Sequence, residues 1–254
     1  MQRFLGRKVL ITGAGSGIGQ ATVHRILAEG GRVVAADVNT SGLAATADRA
    51  TADGTAERLT TTVLDIADEA AVRAGTAAAV EDLGGLDVLV NAAGILRSAH
   101  THEMTLDFWN TVLAVNLTGT FLMTREALPA LLAGGGGVIV NFSSTSASFA
   151  HPYMAAYAAT KGGIQSFTHA IAQEYAKQGL RAVCVAPGSI SSGMTHNPGL
   201  PADTDHSLLA KLSPAIGAGF AGPETVAGVI AMLASEDGAF ITGTEIRIDG
   251  GTHM

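Results

Sequence analysis

Tyr157 and Lys161 stand four residues apart in Tyr157-Ala158-Ala159-Thr160-Lys161. On a helix that separation puts both side chains on one face, with Cβ atoms about 5–6 Å apart. A free tyrosine has a pKa of about 10, so at neutral pH roughly one phenol in a thousand is ionised. To act as a base there, its pKa must come down by about 3, worth about 4 kcal/mol. A neighbouring ammonium favours the phenolate, and a bound cation adds to it. Alone, Tyr-x-x-x-Lys is common by chance and marks a half-exposed helix face. Thirteen residues upstream, however, Ser144 closes Asn141-Phe142-Ser143-Ser144 at the end of an apolar strand. In a parallel sheet the carboxyl ends of the strands face the ligand crevice. Ser144 can meet Tyr157 there and hold a substrate oxygen. Ser143 and Ser146 compete for that role, and only the spacing to Tyr157 separates them.

A second group of residues suits a phosphate. Thr12-Gly13-Ala14-Gly15-Ser16-Gly17-Ile18-Gly19 lies between an apolar strand and a helical stretch. Glycines let the backbone turn sharply and approach a pyrophosphate, and a helix N-terminus offers unpaired N–H groups and partial positive charge. The spacing Gly13-x-x-x-Gly17-x-Gly19 differs from G-x-G-x-x-G, and no Gly-Lys-Ser/Thr follows. Asp37, eighteen residues beyond Gly19, ends the next strand, where a carboxylate can bind both hydroxyls of an adenosine ribose.

The elements that must position these residues alternate along the chain. The hydrophobic pattern predicts strands over 9–11, 32–37, 59–64, 86–90, 138–142, 181–185 and 246–248. Helical periods cover 18–29, 43–52, 68–83, 106–132, 155–177 and 225–234. The strands are rich in Val, Ile and Leu without strict alternation, as expected when both faces are covered. The pattern is that of an α/β fold, a doubly wound parallel sheet with helices on both faces. No linker or repeat divides residues 1–254, which read as one domain. One stretch, 191–222, is irregular and rich in Gly, Pro, Ser and His, the mark of a functional loop or lid.

Composition narrows the class. The 254 residues are 47% hydrophobic and 15% charged, with mean hydropathy +0.32, which excludes a disordered chain. Net charge is −7 and no basic run occurs, so no nucleic-acid partner is expected. The single cysteine, Cys184, excludes an internal disulfide framework and a Cys-based zinc site, and its mid-strand place suggests core. His100, His102 and His151 lack a carboxylate or Cys pattern around them, so no metal is expected. With no targeting segment and no apolar run of about 20 residues, a cytoplasmic protein without membrane contact is expected.

Taken together, these residues make the chain resemble the classical short-chain dehydrogenase/reductases over essentially its whole length. Besides the glycine loop and Tyr157-to-Lys161, it has Asn91-Ala92-Ala93-Gly94 after the fourth strand, Asn116 within the long helix and Pro187-Gly188 after the sixth strand. Thr242-Gly243 and Asp249-Gly250-Gly251 also fit, as a turn into the last strand and its exit. The resemblance implies a Rossmann-like fold and a catalytic tetrad of Asn116, Ser144, Tyr157 and Lys161. Tyr157 would be the acid/base, and Ser144 would orient the carbonyl or alcohol. Lys161 would hold the nicotinamide ribose and lower the Tyr157 pKa, while Asn116 would keep a water linking Lys161 to bulk. The cofactor set implied is Gly13, Ser16, Gly17, Ile18, Gly19 and Asp37, Asp65 and Ile66 at the adenine, and Asn91 at the nicotinamide-side ribose. Ala92, Gly94, Tyr157, Lys161, Pro187 and Gly188 join it, with Ile190 and Ser192 at the carboxamide. The family usually has Thr where Ser192 stands, so the hydroxyl is kept. A homotetramer is implied too, through the helices over 106–132 and 155–177.

The function expected on this basis is NAD-dependent interconversion of a secondary alcohol and a ketone, with Tyr157 handling the proton. NAD is favoured by Asp37, since neither Ser16 nor Val38-Asn39 supplies a cation for a 2′-phosphate. A 3-oxoacyl-thioester reductase of the acyl-carrier-protein type is the alternative, usually run on NADPH. A non-catalytic NAD(H) sensor is a third reading, which the intact tetrad opposes. Leu200, Leu208, Leu209, Leu212 and Ile216 suggest an apolar lid over a small-molecule alcohol or ketone. Only Asp203, Asp205 and Lys211 are charged in 191–222, so no anion clamp is expected there. His151 and Tyr153 are read either as substrate contacts or as surface loop. Phe121, Leu122 and Met123 are read as core or subunit interface.

Overall fold

Val, Ile and Ala dominate the central strands because branched side chains suit a pleated surface covered on both sides. The computed structural model describes residues 2–217 and 219–254. In chain order it contains β1 (Lys8–Thr12), α1 (Gly17–Ala28), β2 (Arg32–Asp37), α2 (Thr40–Ala52), β3 (Leu59–Val63) and α3 (Glu69–Leu83). There follow β4 (Val88–Asn91), α4 (Leu106–Leu113), α5 (Gly119–Ala133), β5 (Val138–Phe142) and α6 (Ala155–Tyr175). The chain continues with β6 (Arg181–Pro187), the short α7 (Gly193–His196), α8 (Pro223–Ala234) and β7 (Glu245–Ile248). The strands lie in the order β3-β2-β1-β4-β5-β6-β7, and every pairing is parallel.

Successive strand residues point to opposite faces, and the two faces bury different layers. Val9 and Ile11 of β1 pack with Val23 and Ile26 of α1 and Ile230 of α8. Leu10 packs on the other side with Val72 of α3, Met123 of α5 and Ile171 of α6. Strand order reverses between β1 and β4, where a doubly wound sheet opens a crevice at its carboxyl edge. Thr12, Asn91 and Asn141 lie there in register across β1, β4 and β5.

The expected single helix over 106–132 is interrupted. Between α4 and α5 the chain makes a π-helical turn, Ala114–Thr118, which carries the fully buried Asn116. Helix starts shift for reasons of capping. Asn39 accepts from the Gly42 N–H, so α2 begins at Thr40 instead of 43. Asp68 accepts from the Ala70 and Ala71 N–H groups and therefore stands before α3 instead of inside it. Pro223 opens α8 because the first helical position needs no N–H partner. Among the described residues of 191–222, the chain is irregular apart from α7 and two short 3₁₀ turns. Cys184, Leu122 and Met123 are buried, while Phe121 is exposed. Among the described residues, no helix is long and apolar enough to cross a membrane.

Candidate active site

The loop from β1 to α1 turns through Gly13 and Gly17, both at positive φ (68° and 52°), which glycine adopts without strain. Space is equally restrictive. A Cβ on Gly13 would fall 2.6 Å from the Ala93 nitrogen, so the loop lies against the exit of β4. Ser16 precedes α1 in extended conformation and its side chain caps nothing. The first N–H groups of α1 are thus left for an outside acceptor. Asp37 closes β2 beside this loop. Its Oδ2 accepts from the Gly15 N–H and its Oδ1 from the Asn39 N–H, each at 2.8 Å. A carboxylate has about four lone-pair sites, so both oxygens keep capacity for further donors. Asp65, exposed at the end of the β3 segment, and the buried Ile66 continue the wall.

Tyr157 and Lys161 come from the first two turns of α6, and the Lys161 Nζ stands 5.4 Å from the centroid of the Tyr157 ring. Burial drives the Tyr157 phenol up to about 12, and the adjacent Ser144 hydroxyl opposes that only in part. A base at neutral pH needs a shift the other way; here, removing the phenolate from water outweighs the hydrogen bond that favours it. Lys161 is driven down to about 8 by the same burial. Its ammonium donates to the Phe142 carbonyl at 2.8 Å, which fixes it at the carboxyl end of β5. Ser144 follows that strand directly, and its oxygen also accepts from the Ser146 N–H at 3.2 Å. Ser143, by contrast, donates to the Lys161 carbonyl and Ser146 Oγ is buried without a partner, so neither matches Ser144.

Asn116 is locked by the Ile95 backbone, accepting from its N–H at 2.8 Å and donating to its carbonyl at 2.9 Å. A third bond runs from its amide to Thr160 Oγ1, next to Lys161 in the chain. Asn91 serves the scaffold below. Its amide donates to Asn141 Oδ1 at 2.9 Å and to Thr124 Oγ1 at 3.2 Å, and Asn141 donates onward to Thr168.

One cavity of about 690 Å³ joins these parts. Of the catalytic and cofactor residues that the family resemblance implies, Asn91 and Asn116 alone do not line it; both sit behind its wall. Leu200, Leu209 and Leu212 from 191–222 roof it, whereas Leu208 and Ile216 point to solvent. Lys161 is the one Lys or Arg among its lining residues. The roof is tied down by Ser98 Oγ donating to the Pro198 carbonyl, by the Asp205 N–H donating to the Tyr153 hydroxyl, and by His100 Nε2 against Asp203 at 2.9 Å. His100 thereby pairs with a carboxylate that raises its pKa.

Sequence reasoning missed Thr145, Ser189, Phe220, Thr252 and His253 in the lining. Ser189 holds φ 57°, a strained value for a non-glycine residue. Thr252 and His253 fold back from beyond β7, a return that leaves no trace in spacing.

The family model for short chain dehydrogenases matches residues 7–200. D-threitol dehydrogenase of Mycolicibacterium smegmatis is 36% identical over 249 residues, covering 98% of this chain and 94% of that protein. The 3-oxoacyl-(acyl-carrier-protein) reductase FabG of Thermotoga maritima is also 36% identical, over 98% of both chains. The crystal structure of a dehydrogenase/reductase from Sinorhizobium meliloti superposes with a TM-score of 0.89 at 32% identity, over 100% of this chain and 98% of that one. A short chain dehydrogenase from Burkholderia cenocepacia in complex with NADP gives 0.88 at 31% identity, over 99% and 100%.

Proposed function

Because the chain belongs to the short-chain dehydrogenase/reductase family, we propose that it is an NAD(H)-dependent oxidoreductase interconverting a secondary alcohol and a ketone. One observation carries the reading: Ser144, Tyr157 and Lys161 share a single cavity with the glycine loop and Asp37. The residues fit a dinucleotide. The left-handed glycines and open N–H groups of α1 suit a pyrophosphate, and the spare lone pairs of Asp37 suit a ribose diol.

A bound nicotinamide supplies the hydride donor or acceptor, and its oxidised ring adds positive charge that favours a phenolate. The chain's own groups handle the oxygen and the proton. Ser144 holds the reacting oxygen by hydrogen bonding. Tyr157, protonated at neutral pH with its pKa at about 12, is poised to donate to a carbonyl oxygen. In the reverse direction its phenolate takes the hydroxyl proton. Lys161 spends one N–H on Phe142 and keeps two for a ribose hydroxyl. Asn116 positions the turn around Ile95 and Thr160 rather than touching the cavity.

Coenzyme choice rests on Asp37. A 2′-phosphate would face its carboxylate, and one unit repulsion at about 4 Å with an effective dielectric near 20 is roughly 4 kcal/mol before screening. Even a third of that gives about tenfold discrimination. No cation offsets it, since Val38 follows and Lys161 is the lone Lys or Arg of the cavity. NAD is therefore expected to exceed NADP by at least about tenfold in kcat/KM, and Asp37→Ala with Val38→Arg should narrow or reverse the ratio. Equal use of the two by the unmodified enzyme would remove the role given to Asp37.

The name of the Thermotoga relative supports a second reading, a 3-oxoacyl thioester as substrate. An acetoacetyl thioester assayed beside simple ketones with each coenzyme separates the two. The proposal extends to a cytoplasmic homotetramer packed through α4–α5 and α6. Light scattering at micromolar concentration should give four times the chain mass, and a monomer would refute it.

A further inference from the structure

Beyond Ser144 and Tyr157, the cavity has a second polar region that the proposed chemistry does not use. Thr145 follows Ser144 directly, and its Oγ1 lies 3.1 Å from His151 Nε2, so the imidazole is fixed on the cavity wall six residues before Tyr157. From beyond β7, His253 lines the same cavity, its ring centroid 5.7 Å from that of His151. The His253 ring lies flat on Phe149, with centroids 4.2 Å apart and planes 2° from parallel. That stack orients the imidazole, yet His253 Nε2 is buried without a hydrogen-bond partner. Burying such a nitrogen is unfavourable unless something completes it.

Resting on the alcohol–ketone reading above, we propose that His151 and His253 recognise a second oxygen of the substrate, so that uncharged diols, hydroxyketones and diketones are preferred over monofunctional alcohols and ketones. The cavity also carries the apolar side chains of Met154, Leu209, Leu212 and Phe220, with the hydroxyl residues Ser189, Ser213 and Thr252 among them. A wall of apolar side chains with a few hydroxyls and two imidazoles suits a ligand that is compact, uncharged and oxygenated at two points. The wall does not suit an anion. Arg247, its guanidinium 5.2 Å from the centroid of the Phe149 ring, pairs with Asp249 at 3.4 Å and does not line the cavity. Burial and the nearby His253 depress His151 to about 4, so at neutral pH its ring is uncharged. With Nε2 engaged by Thr145, the neutral ring keeps Nδ1 for a substrate hydroxyl, as donor or acceptor according to its tautomer. A site built around such a pair discriminates against an analogue lacking the oxygen, because its polar atoms then stay buried and unpaired.

The test compares propylene glycol with isopropanol, which share a secondary carbinol and differ in one further hydroxyl, using the intact enzyme and NAD. Wild type should prefer propylene glycol by about tenfold in kcat/KM, the scale of one or two net hydrogen bonds. His253→Phe keeps a ring to stack on Phe149 and removes both nitrogens; His151→Phe removes the second imidazole. Each should erase most of that preference through KM of the glycol, with isopropanol changed by less than about twofold. A wild type without preference, or variants that lose both alcohols equally, would overturn the proposal. The imidazole proton resonances of the two histidines, assigned with the same variants, should move on adding propylene glycol and stay in place with isopropanol. If neither alcohol is oxidised with either coenzyme, the alcohol–ketone reading fails. The resonances then decide the histidine proposal alone: a glycol-specific shift upholds it, and its absence overturns it.

Discussion

Burial acts on Tyr157 and Lys161 in the same sense, toward their uncharged forms, with the phenol at about 12 and the amine at about 8. The pair therefore rests as a proton donor beside a cation that is easily relieved of its charge. Tyr157→Phe removes the hydroxyl while preserving the ring and the packing of α6. Turnover should fall to near background, while NADH binding, read by fluorescence titration, should persist. Lys161→Met should be equally inactive and should also weaken NADH binding, because the ammonium is given two tasks. Wild-type-like turnover in the phenylalanine variant would dismiss Tyr157 as acid/base. The pairing of Tyr157, Lys161 and Ser144 was legible in sequence because four residues on a helix and the end of a strand are both local facts. The direction of the Tyr157 pKa was not, since desolvation depends on what the rest of the chain packs around the phenol. Asn91 shows the same limit. Its place at the carboxyl end of β4 was nearly readable, one residue beyond the expected strand, but its side chain turns away from the cavity toward Asn141 and Thr124.

At the scale of elements, the informative departure is the π turn Ala114–Thr118 between α4 and α5. Apolar periodicity ran through it and predicted one helix, because a single widened turn changes the phase too little to break the pattern. π turns of this kind occur frequently at functional sites. Here the turn carries Asn116 to the loop after β4, where the side chain satisfies both backbone groups of Ile95 and reaches Thr160. Asn116→Ala would leave the Ile95 N–H and carbonyl short of partners. The expected cost is about 1–3 kcal/mol of stability, with a several-fold or larger loss of kcat, because Lys161 follows Thr160 on α6. Thermal unfolding and steady-state kinetics on one preparation check both. A variant with unchanged midpoint and unchanged kcat would show that the turn positions nothing. The segment 191–222 was legible as irregular and apolar, whereas the anchors that hold it were not. Ser98, His100 and Tyr153 lie 100, 103 and 52 residues from their partners, and no short-range pattern encodes such pairs.

For the whole molecule, the strand and helix order was readable because each βα unit repeats the same alternation of apolar strand and amphipathic helix. What the alternation did not disclose was which polar groups end up sealed between layers. His24 of α1 is 8% exposed, and neither ring nitrogen has a hydrogen-bond partner. Burial lowers its pKa, and Arg49 pushes it in the same direction while Asp53 opposes. A histidine whose folded pKa lies below its unfolded value near 6.5 leaves stability untouched where both states are neutral. As pH falls below about 6.5, the unfolded chain takes up a proton that the fold refuses, so stability declines until the folded pKa is reached. His151 adds a decline of the same sign between about 6.5 and about 4. Each group contributes at most about 1.4 kcal/mol per pH unit within its window. Glu29 acts in a lower window. Its carboxylate, bonded to Arg3 and Arg25, is depressed below 4.5 and loses its stabilising effect only as pH falls through that lowered value. Between neutrality and about pH 5, therefore, His24 and His151 lower stability as pH falls, while His100, whose pKa Asp203 raises, acts in the opposite sense. His24→Leu removes a buried ring that makes no hydrogen bond, so stability at about pH 8 should change only through packing. The decline from about pH 7 to about pH 5 should become shallower than in wild type. Urea unfolding at the three pH values measures it directly, and a wild-type slope in His24→Leu would show that this imidazole takes no part in the acid response.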